Sequence, residues 1–344
     1  MDPADLIRQS PFIAFAVATA IVLVAGVRMT GIADRLADRT GLGEAVTGGL
    51  LLGATTSLSG AVVSITAALD GRAALAVSNG VGGIAAQTAF LALADIAWRR
   101  VNLEHAAADL SNVLQASLLC LMLSLPILAF TGPDVTVFGI HPVSLALPVI
   151  YVLGMRASAR LREDPMWKPV ETPETRTDTP DDEDEAGRPI TPLLLRFVGL
   201  AAFLAVAGWM IARAGGEISD RAGLSESTVG ALMTAVATSL PELVTTLAAV
   251  RRGAAQLAVG GIIGGNAFDV LFLSASDIAY RDGSIYAAVG PGELFWVAVG
   301  IAMTAVLLLG LILREKAGPA RIGFESVALL AIYVGAVAVQ TLPS

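Results

Sequence analysis

Residues 38–99, "DRTGLGEAVTGGLLLGATTSLSGAVVSITAALDGRAALAVSNGVGGIAAQTAFLALADIAWR", return 182 positions later as residues 220–281, "DRAGLSESTVGALMTAVATSLPELVTTLAAVRRGAAQLAVGGIIGGNAFDVLFLSASDIAYR". The alignment needs no gap, and about 25 of its 62 positions are identical. Apolar composition alone gives a modest score between any two lipid-like segments. Gly, Ser, Asp and Arg positions that match without a gap point instead to duplication.

The rest of the chain tells what was duplicated. Of its 344 residues 55% are hydrophobic and 15% charged, which excludes an ordinary soluble domain and reads as an integral membrane protein. Apolar blocks fall near 11–29, 45–70, 74–98, 109–131, 136–156, 192–213, 226–250, 254–280, 290–313 and 322–341. Each is roughly 20 residues, enough to cross about 30 Å of hydrocarbon. Each copy therefore holds five spans, an odd number, so the second must insert upside down. The expected fold is an all-α integral membrane protein of about ten transmembrane helices in two inverted five-helix repeats. Residues 1–156 form the first repeat, 157–191 a linker, and 192–344 the second.

Charge supplies the orientation. In the ten-span pattern fourteen Lys and Arg residues, among them Arg28, Arg35, Arg156, Arg196, Arg251 and Arg314, share one side, against Arg8, Arg72, Arg213, Arg221 and Arg281 on the other. The basic side is expected to be cytoplasmic, which puts both termini outside and the linker inside. Much of the net charge of −8 is local: residues 162–188 hold ten acids and four bases among several prolines, the composition of a solvated, disordered tether. "MDPADLIRQS" (1–10) has no basic n-region, so the first span is expected to stay in the protein. Cys120 is the only cysteine, which excludes an intrachain disulfide. His105 and His141 lack metal-ligand spacing, and no phosphate-binding glycine loop, nucleophile triad or nucleic-acid footprint is present.

Within the second copy, "TSLPE" (238–242) puts a proline and a glutamate inside an apolar run. Glu242 and Asp269 each lie about 15 residues into a span, roughly 12 Å from the nearer interface at 1.5 Å per residue. Acids at that depth are costly unless they face a cavity or a partner, and by default they mark a functional site. Pro241 and the glycines of "GGIIGGN" (260–266) let one helix break and its neighbour approach closely. A break frees carbonyl oxygens which, with carboxylates and hydroxyls, suit a hard cation.

"ATSLPELVTT" followed by "GGIIGGNAFDVLFL" resembles the second alpha-repeat of the cation/calcium exchanger superfamily, which includes the sodium/calcium exchangers. "TTSLSGAVVS" with "VSNGVGGIAAQTAFL" resembles the first. The resemblance covers both halves. It implies alternating access and a diamond of ligands on helices 2, 3, 7 and 8, here Gly60, Gln87, Glu242 and Asp269. Thr56, Ser57, Thr238 and Ser239 are implied as further oxygen donors. The chain departs from the family pattern in the first repeat. Ser59 and Gly60 stand where Pro and Glu are usual, Gln87 replaces the usual Asn or Asp, and Gly83 and Gly265 replace small hydroxyl residues. The site then carries at most −2, matching one Ca²⁺, two Na⁺ or two protons; three Na⁺ would leave it positive.

The expected function is a cation antiporter exchanging Ca²⁺ against Na⁺ or H⁺, in the cell (inner) membrane. Its partners are inorganic cations and membrane lipid, without cofactor or nucleotide. The alternatives are a Na⁺ or K⁺/proton exchanger that has lost Ca²⁺ affinity with the first-repeat glutamate, and a transport-inactive ion-sensing protein. Blander readings stand beside the site. Glu242 and Asp269 share a proton, Gln87 joins two helices, and the hydroxyls bond back to their own helices. Asp95 with Arg99, and Asp277 with Arg281, are spaced as interfacial ion pairs. Glu44 and Glu226 sit at helix starts, where the macrodipole favours acids.

Overall fold

The computed structural model describes residues 3–40, 53–98, 101–163, 165, 168, 170, 190–318 and 322–342. Most of the acidic linker, Glu44 and Arg99 lie outside them. The long apolar runs become long helices, and α7 and α8 keep Pro126 and Pro148 in their interiors, as membrane helices can: α2 (Pro11–Thr40), α5 (Ala73–Trp98), α7 (Leu110–Thr131), α8 (Pro142–Glu163), α9 (Thr191–Ala222), α16 (Pro291–Leu313) and α17 (Phe324–Thr341). Short helices join or precede them: α1 (Pro3–Gln9), α6 (Leu103–Ala106), α10 (Glu226–Thr228) and α15 (Ile285–Ala288).

Three spans are broken. The second is α3 (Gly53–Thr56) plus α4 (Leu58–Leu69). The seventh is α10, a π-helical turn (Val229–Thr234), α11 (Ala235–Thr238) and α12 (Leu240–Arg252). The eighth is α13 (Ala255–Asp269) plus α14 (Leu271–Ala279). Among the described residues eight spans are long and apolar enough to cross a bilayer, and the seventh, bent by 45°, makes nine. Of the second, the described residues hold the apolar helix Leu58–Leu69 and the turn of helix before it; residues 41–52 lie outside them. The fifth span begins at Pro142, later than its apolar pattern predicts. Residues 133–141 form a loop, with left-handed backbone at Phe138 and Gly139 and a small bridge between Val137 and Ile140.

Lipid offers no hydrophobic drive between helices, so close packing must hold the bundle. α5 is the central element, buried on nearly every face, with Leu75 and Ile84 in a core shared with Met122 of α7 and Trp296 and Met303 of α16. α2 and α9 form a separate antiparallel pair through Ala14, Ala18, Val22 and Met29 against Leu204, Ala207 and Ile211. That pair meets the seventh span where Gly26 lets Pro241 approach: a Cβ on Gly26 would lie 2.5 Å from Pro241 Cγ.

The duplication is visible in hydrogen bonds. Asp95 Oδ1 accepts from Leu103 N at 2.8 Å, and Oδ2 from Gly323 N at 3.1 Å and Ser326 Oγ at 2.9 Å. Asp277, 182 residues on, accepts from Ile285 N and His141 N, both at 2.8 Å. The donors are themselves 182 apart: Leu103 with Ile285, His141 with Gly323. Each aspartate thus caps the short helix of its own repeat and the fifth helix of the other. Such reciprocal exchange is what a two-fold relation produces. The expected Asp277–Arg281 ion pair is not formed; Arg281 is exposed and Asp277 fully buried. Unpaired N–H groups at two helix starts lie within reach of the buried carboxylate, and satisfying them is worth about 1 kcal/mol each. Asp95 acts likewise, and the arginine proposed for it, Arg99, is outside the described residues. Glu226 at the seventh span's start does more than favour a dipole: it pairs with Arg72 at 2.8 Å.

Candidate functional site

The second and seventh spans break at residues 182 apart, Ser57 and Ser239, whose backbones agree: φ −83°, ψ −1° and φ −93°, ψ 2°. Only the break at Ser239 is followed by a proline, Pro241; after Ser57 the same position is Ser59. Proline therefore does not by itself cause the break. A near-zero ψ at the serine turns the chain out of the α-ladder in both copies. Just past each break, Gly60 and Glu242 occupy equivalent positions, in the first turns of α4 and α12.

α5 and α13 bring the other pair. Gln87 and Asp269, also 182 apart, touch: Gln87 Nε2 donates to Asp269 Oδ2 at 2.7 Å and to Ser239 Oγ at 3.1 Å. Glu242 and Asp269 are neighbours in one buried cluster, close enough for their charges to interact, with Thr56 beside Glu242 and Ser57 beside Asp269. Each carboxylate of the second repeat thus faces a hydroxyl of the first. Glu242, Asp269 and Gln87 are at most 5% exposed. Both Glu242 oxygens, Asp269 Oδ1, Gln87 Oε1 and the Ser57 hydroxyl nevertheless lack a hydrogen-bond partner. Buried acceptors without donors are costly, and oxygens of these kinds suit a hard cation. Among the described residues no three His, Cys, Asp or Glu side chains gather at a metal centre; the cluster has two carboxylates and otherwise neutral oxygens.

Six of the seven expected site residues, Glu242, Asp269, Gln87, Thr56, Ser57 and Ser239, therefore converge. Thr238 is adjacent; its hydroxyl bonds back to Thr234 O at 3.0 Å and Ala235 O at 3.2 Å, as the Thr56 hydroxyl does to Gly53 O at 3.2 Å. Gly83 and Gly265 line the cluster from opposite sides: a Cβ on Gly83 would lie 3.6 Å from Ser239 Oγ, and one on Gly265 3.6 Å from Gln87 Oε1.

Gly60 faces something else. A Cβ there would lie 2.9 Å from Phe272 Cε2 and 3.6 Å from Thr238 Oγ1. The Phe272 ring occupies the space into which a longer side chain at 60 would grow. It continues edge-to-face into Phe268 and Tyr151, so the first-repeat quarter of the site is aromatic where the others are polar. Sequence reasoning missed this ring, and also Asn79, whose amide donates to Gly60 O at 3.0 Å and Ser64 Oγ at 2.9 Å while its oxygen accepts from Thr234 Oγ1 at 2.8 Å. That side chain holds a carbonyl at the broken second span and ties it to the seventh. The available signal was an amide inside an apolar helix. Asn266 Nδ2 donates to Thr88 Oγ1 at 2.9 Å, a further tie between α13 and α5.

A family model described as "Sodium/calcium exchanger protein" matches residues 10–155 and 192–342, both halves and not the acidic segment between them. The chain belongs to the sodium/calcium exchanger family. Among curated proteins it is 31% identical over 122 residues to inner membrane protein YrbG of Escherichia coli and 36% identical over 89 residues to sodium/calcium exchanger MaX1 of Methanosarcina acetivorans. These segments cover 35% and 25% of this chain, and 35% and 24% of the relatives; the chain thus spans about a third or less of the length of the curated relatives it matches. Two solved structures share the fold along nearly the whole chain. The sodium-calcium exchanger NCX_Mj gives a TM-score of 0.62 at 16% identity, covering 98% of this chain and 99% of that one. The H⁺/Ca²⁺ exchanger CAX gives 0.69 at 13% identity, covering 96% and 85%.

Proposed function

We propose that this chain is a secondary active antiporter that moves Ca²⁺ one way against Na⁺ or H⁺ the other by alternating access. The observation that carries this reading is the cluster of buried oxygens without donors: both oxygens of Glu242, Asp269 Oδ1 and Gln87 Oε1, set beside paired helix breaks. Hard cations are held by such oxygens. Glu242 and Asp269 bind the ion. Gln87 contributes Oε1 while its Nε2 orients Asp269 and Ser239, and the hydroxyls of Thr56, Ser57 and Ser239 complete the shell. Thr238 and Thr56 each donate the hydroxyl proton to their own helix, which leaves the oxygen lone pairs of both for an ion. A charge of −2 is balanced by one Ca²⁺ or by two monovalent ions. Both draw on the same carboxylates, so one must leave before the other binds, which is the coupling an antiporter needs.

The same reading places the protein in the cell's inner membrane, with 1–156 and 192–344 as its repeats, 157–191 as a cytoplasmic tether and both termini outside. A second reading, a Na⁺ or K⁺/proton exchanger, is favoured by one observation: the Phe272 ring stands where a third carboxylate would reach. Calorimetric titration of the purified protein with CaCl₂, NaCl and KCl separates the two. Ca²⁺ binding that Na⁺ competes away and Glu242→Gln abolishes supports Ca²⁺ exchange; monovalent binding without Ca²⁺ binding supports the second reading.

A further inference from the structure

At the end of the bundle where the polypeptide leaves α8 for the linker, the outer flank of the α2–α9 pair carries a groove of about 550 Å³. One wall is a helical stripe of α2: Val27, Arg28, Gly31, Ile32 and Arg35. The other is a stripe of α9 at the same three- and four-residue spacing: Arg196, Gly199, Leu200 and Phe203. The helices run antiparallel, so Arg35 and Arg196 fall at the outer end and Val27, Leu200 and Phe203 deeper; Arg28, beside Val27 and about two turns below Arg35, meets them through its long side chain. A Cβ on either Gly31 or Gly199 would meet nothing within 4 Å; the groove is open, not packed.

None of the three arginines is paired with an acid in any ion pair among the described residues. The opposite end of the molecule behaves otherwise. There Arg72 binds Asp220 and Glu226, Arg213 binds Asp70, and Arg221 binds Glu217. Arginines near helix ends reach the headgroup level, where anionic lipid attracts them. The surface around the groove is apolar and exposed: Val24 is 48% accessible, Leu195 68%, Val198 57% and Phe203 64%. Bilayer covers such a surface. Its occupant must offer an anion at one end and hydrocarbon at the other.

We infer that this groove binds an anionic phospholipid, its phosphate held by Arg28, Arg35 and Arg196 and an acyl chain lying along Val27, Leu200 and Phe203. Basic pockets between transmembrane helices suit such headgroups. Guanidinium forks match phosphate oxygens in pairs, and three cations also discriminate against a zwitterionic headgroup, whose ammonium they repel.

The test is native mass spectrometry of the full chain titrated with phosphatidylglycerol and with phosphatidylcholine of the same acyl chains. Juxtamembrane basic residues are each worth about fivefold in affinity for an anionic lipid, so the wild type should prefer phosphatidylglycerol by on the order of a hundredfold. Arg28→Gln/Arg35→Gln/Arg196→Gln should bring the two lipids to within about threefold of each other by the same estimate. The three single variants, each losing about fivefold, decide the matter if the triple variant does not fold. Gly199→Trp keeps the charge, fills the open groove and should weaken both lipids. Equal retention of the two lipids by wild type, or an undiminished preference in the folded arginine variants, would overturn the inference. Displacement of phosphatidylglycerol by millimolar inorganic phosphate would overturn the lipid as the source of the anion.

Discussion

Gly60→Glu tests the most unusual feature of the proposed cation site. The family resemblance alone predicts that a glutamate here adds a third carboxylate and raises Ca²⁺ preference. The structure opposes this, because the first side-chain atom already lies 2.9 Å from Phe272 Cε2 and the ring is only 4% exposed. Overpacking a buried site costs about 1–3 kcal/mol, so Gly60→Glu should lose that much stability and turn its carboxylate away, leaving Ca²⁺ affinity unchanged. Phe272→Ala should cost about 3–5 kcal/mol as a cavity. The double variant should be more stable than the sum of the two losses, by about 1–3 kcal/mol of coupling, since the glutamate then fills the space of the ring. With a third anionic ligand it should bind Ca²⁺ about tenfold tighter or better, ligand charge being what tunes such sites. Denaturant titration in detergent reads the stabilities, and calorimetry with Ca²⁺ and Na⁺ reads the site. A single Gly60→Glu variant as stable as wild type, with raised Ca²⁺ affinity, would refute the reasoning: the ring would then not hold the space.

Glu242→Gln and Asp269→Asn keep shape and lose charge, and each should reduce ion flux to background while the protein remains monodisperse in size-exclusion chromatography. Asp277→Ala removes the acceptor for two helix starts and should cost about 2–4 kcal/mol, with Asp95→Ala similar, measured by thermal unfolding. Glu104, on α6 between spans, has its pKa raised to about 8, first by burial and then by the charges of Asp95 and Glu325. Folded protein therefore holds a proton that the unfolded chain has released, so stability should fall as pH rises from about 4.5 to 8 and level off above it. Thermal unfolding across that range should show the fall in wild type and a flatter profile in Glu104→Gln. Deleting residues 164–187 should leave flux unchanged if the acidic segment is only a tether.

The 182-residue register was the most informative feature of the sequence, and it extends further in the structure than the identity does. His141 and Gly323 share no side-chain chemistry, yet both give a backbone N–H to a buried aspartate of the other repeat. Glu242 and Asp269 were legible because an acid at mid-membrane has few innocent explanations. Gln87 was legible only through its partner 182 positions on. The Phe272 ring was not legible, since a phenylalanine in an apolar run carries no mark of what it displaces, and neither was the role of Asn79, which depends on Gly60 O and Thr234 Oγ1 in two other helices. For Asp277 the i, i+4 spacing to Arg281 suggests an ion pair because it is visible in the sequence, whereas the tertiary donor His141 N, 136 residues away, is not.

The central claim, that Glu242 and Asp269 pass cations across the membrane in exchange, is tested most directly by flux in proteoliposomes of the purified chain. Vesicles loaded with Na⁺ or acidified inside, then diluted into ⁴⁵Ca²⁺ medium without that gradient, should accumulate Ca²⁺, and the Glu242→Gln protein should not. Folded wild-type protein that moves no Ca²⁺ under a Na⁺ or a proton gradient would contradict the account, as would uptake that survives in both Glu242→Gln and Asp269→Asn.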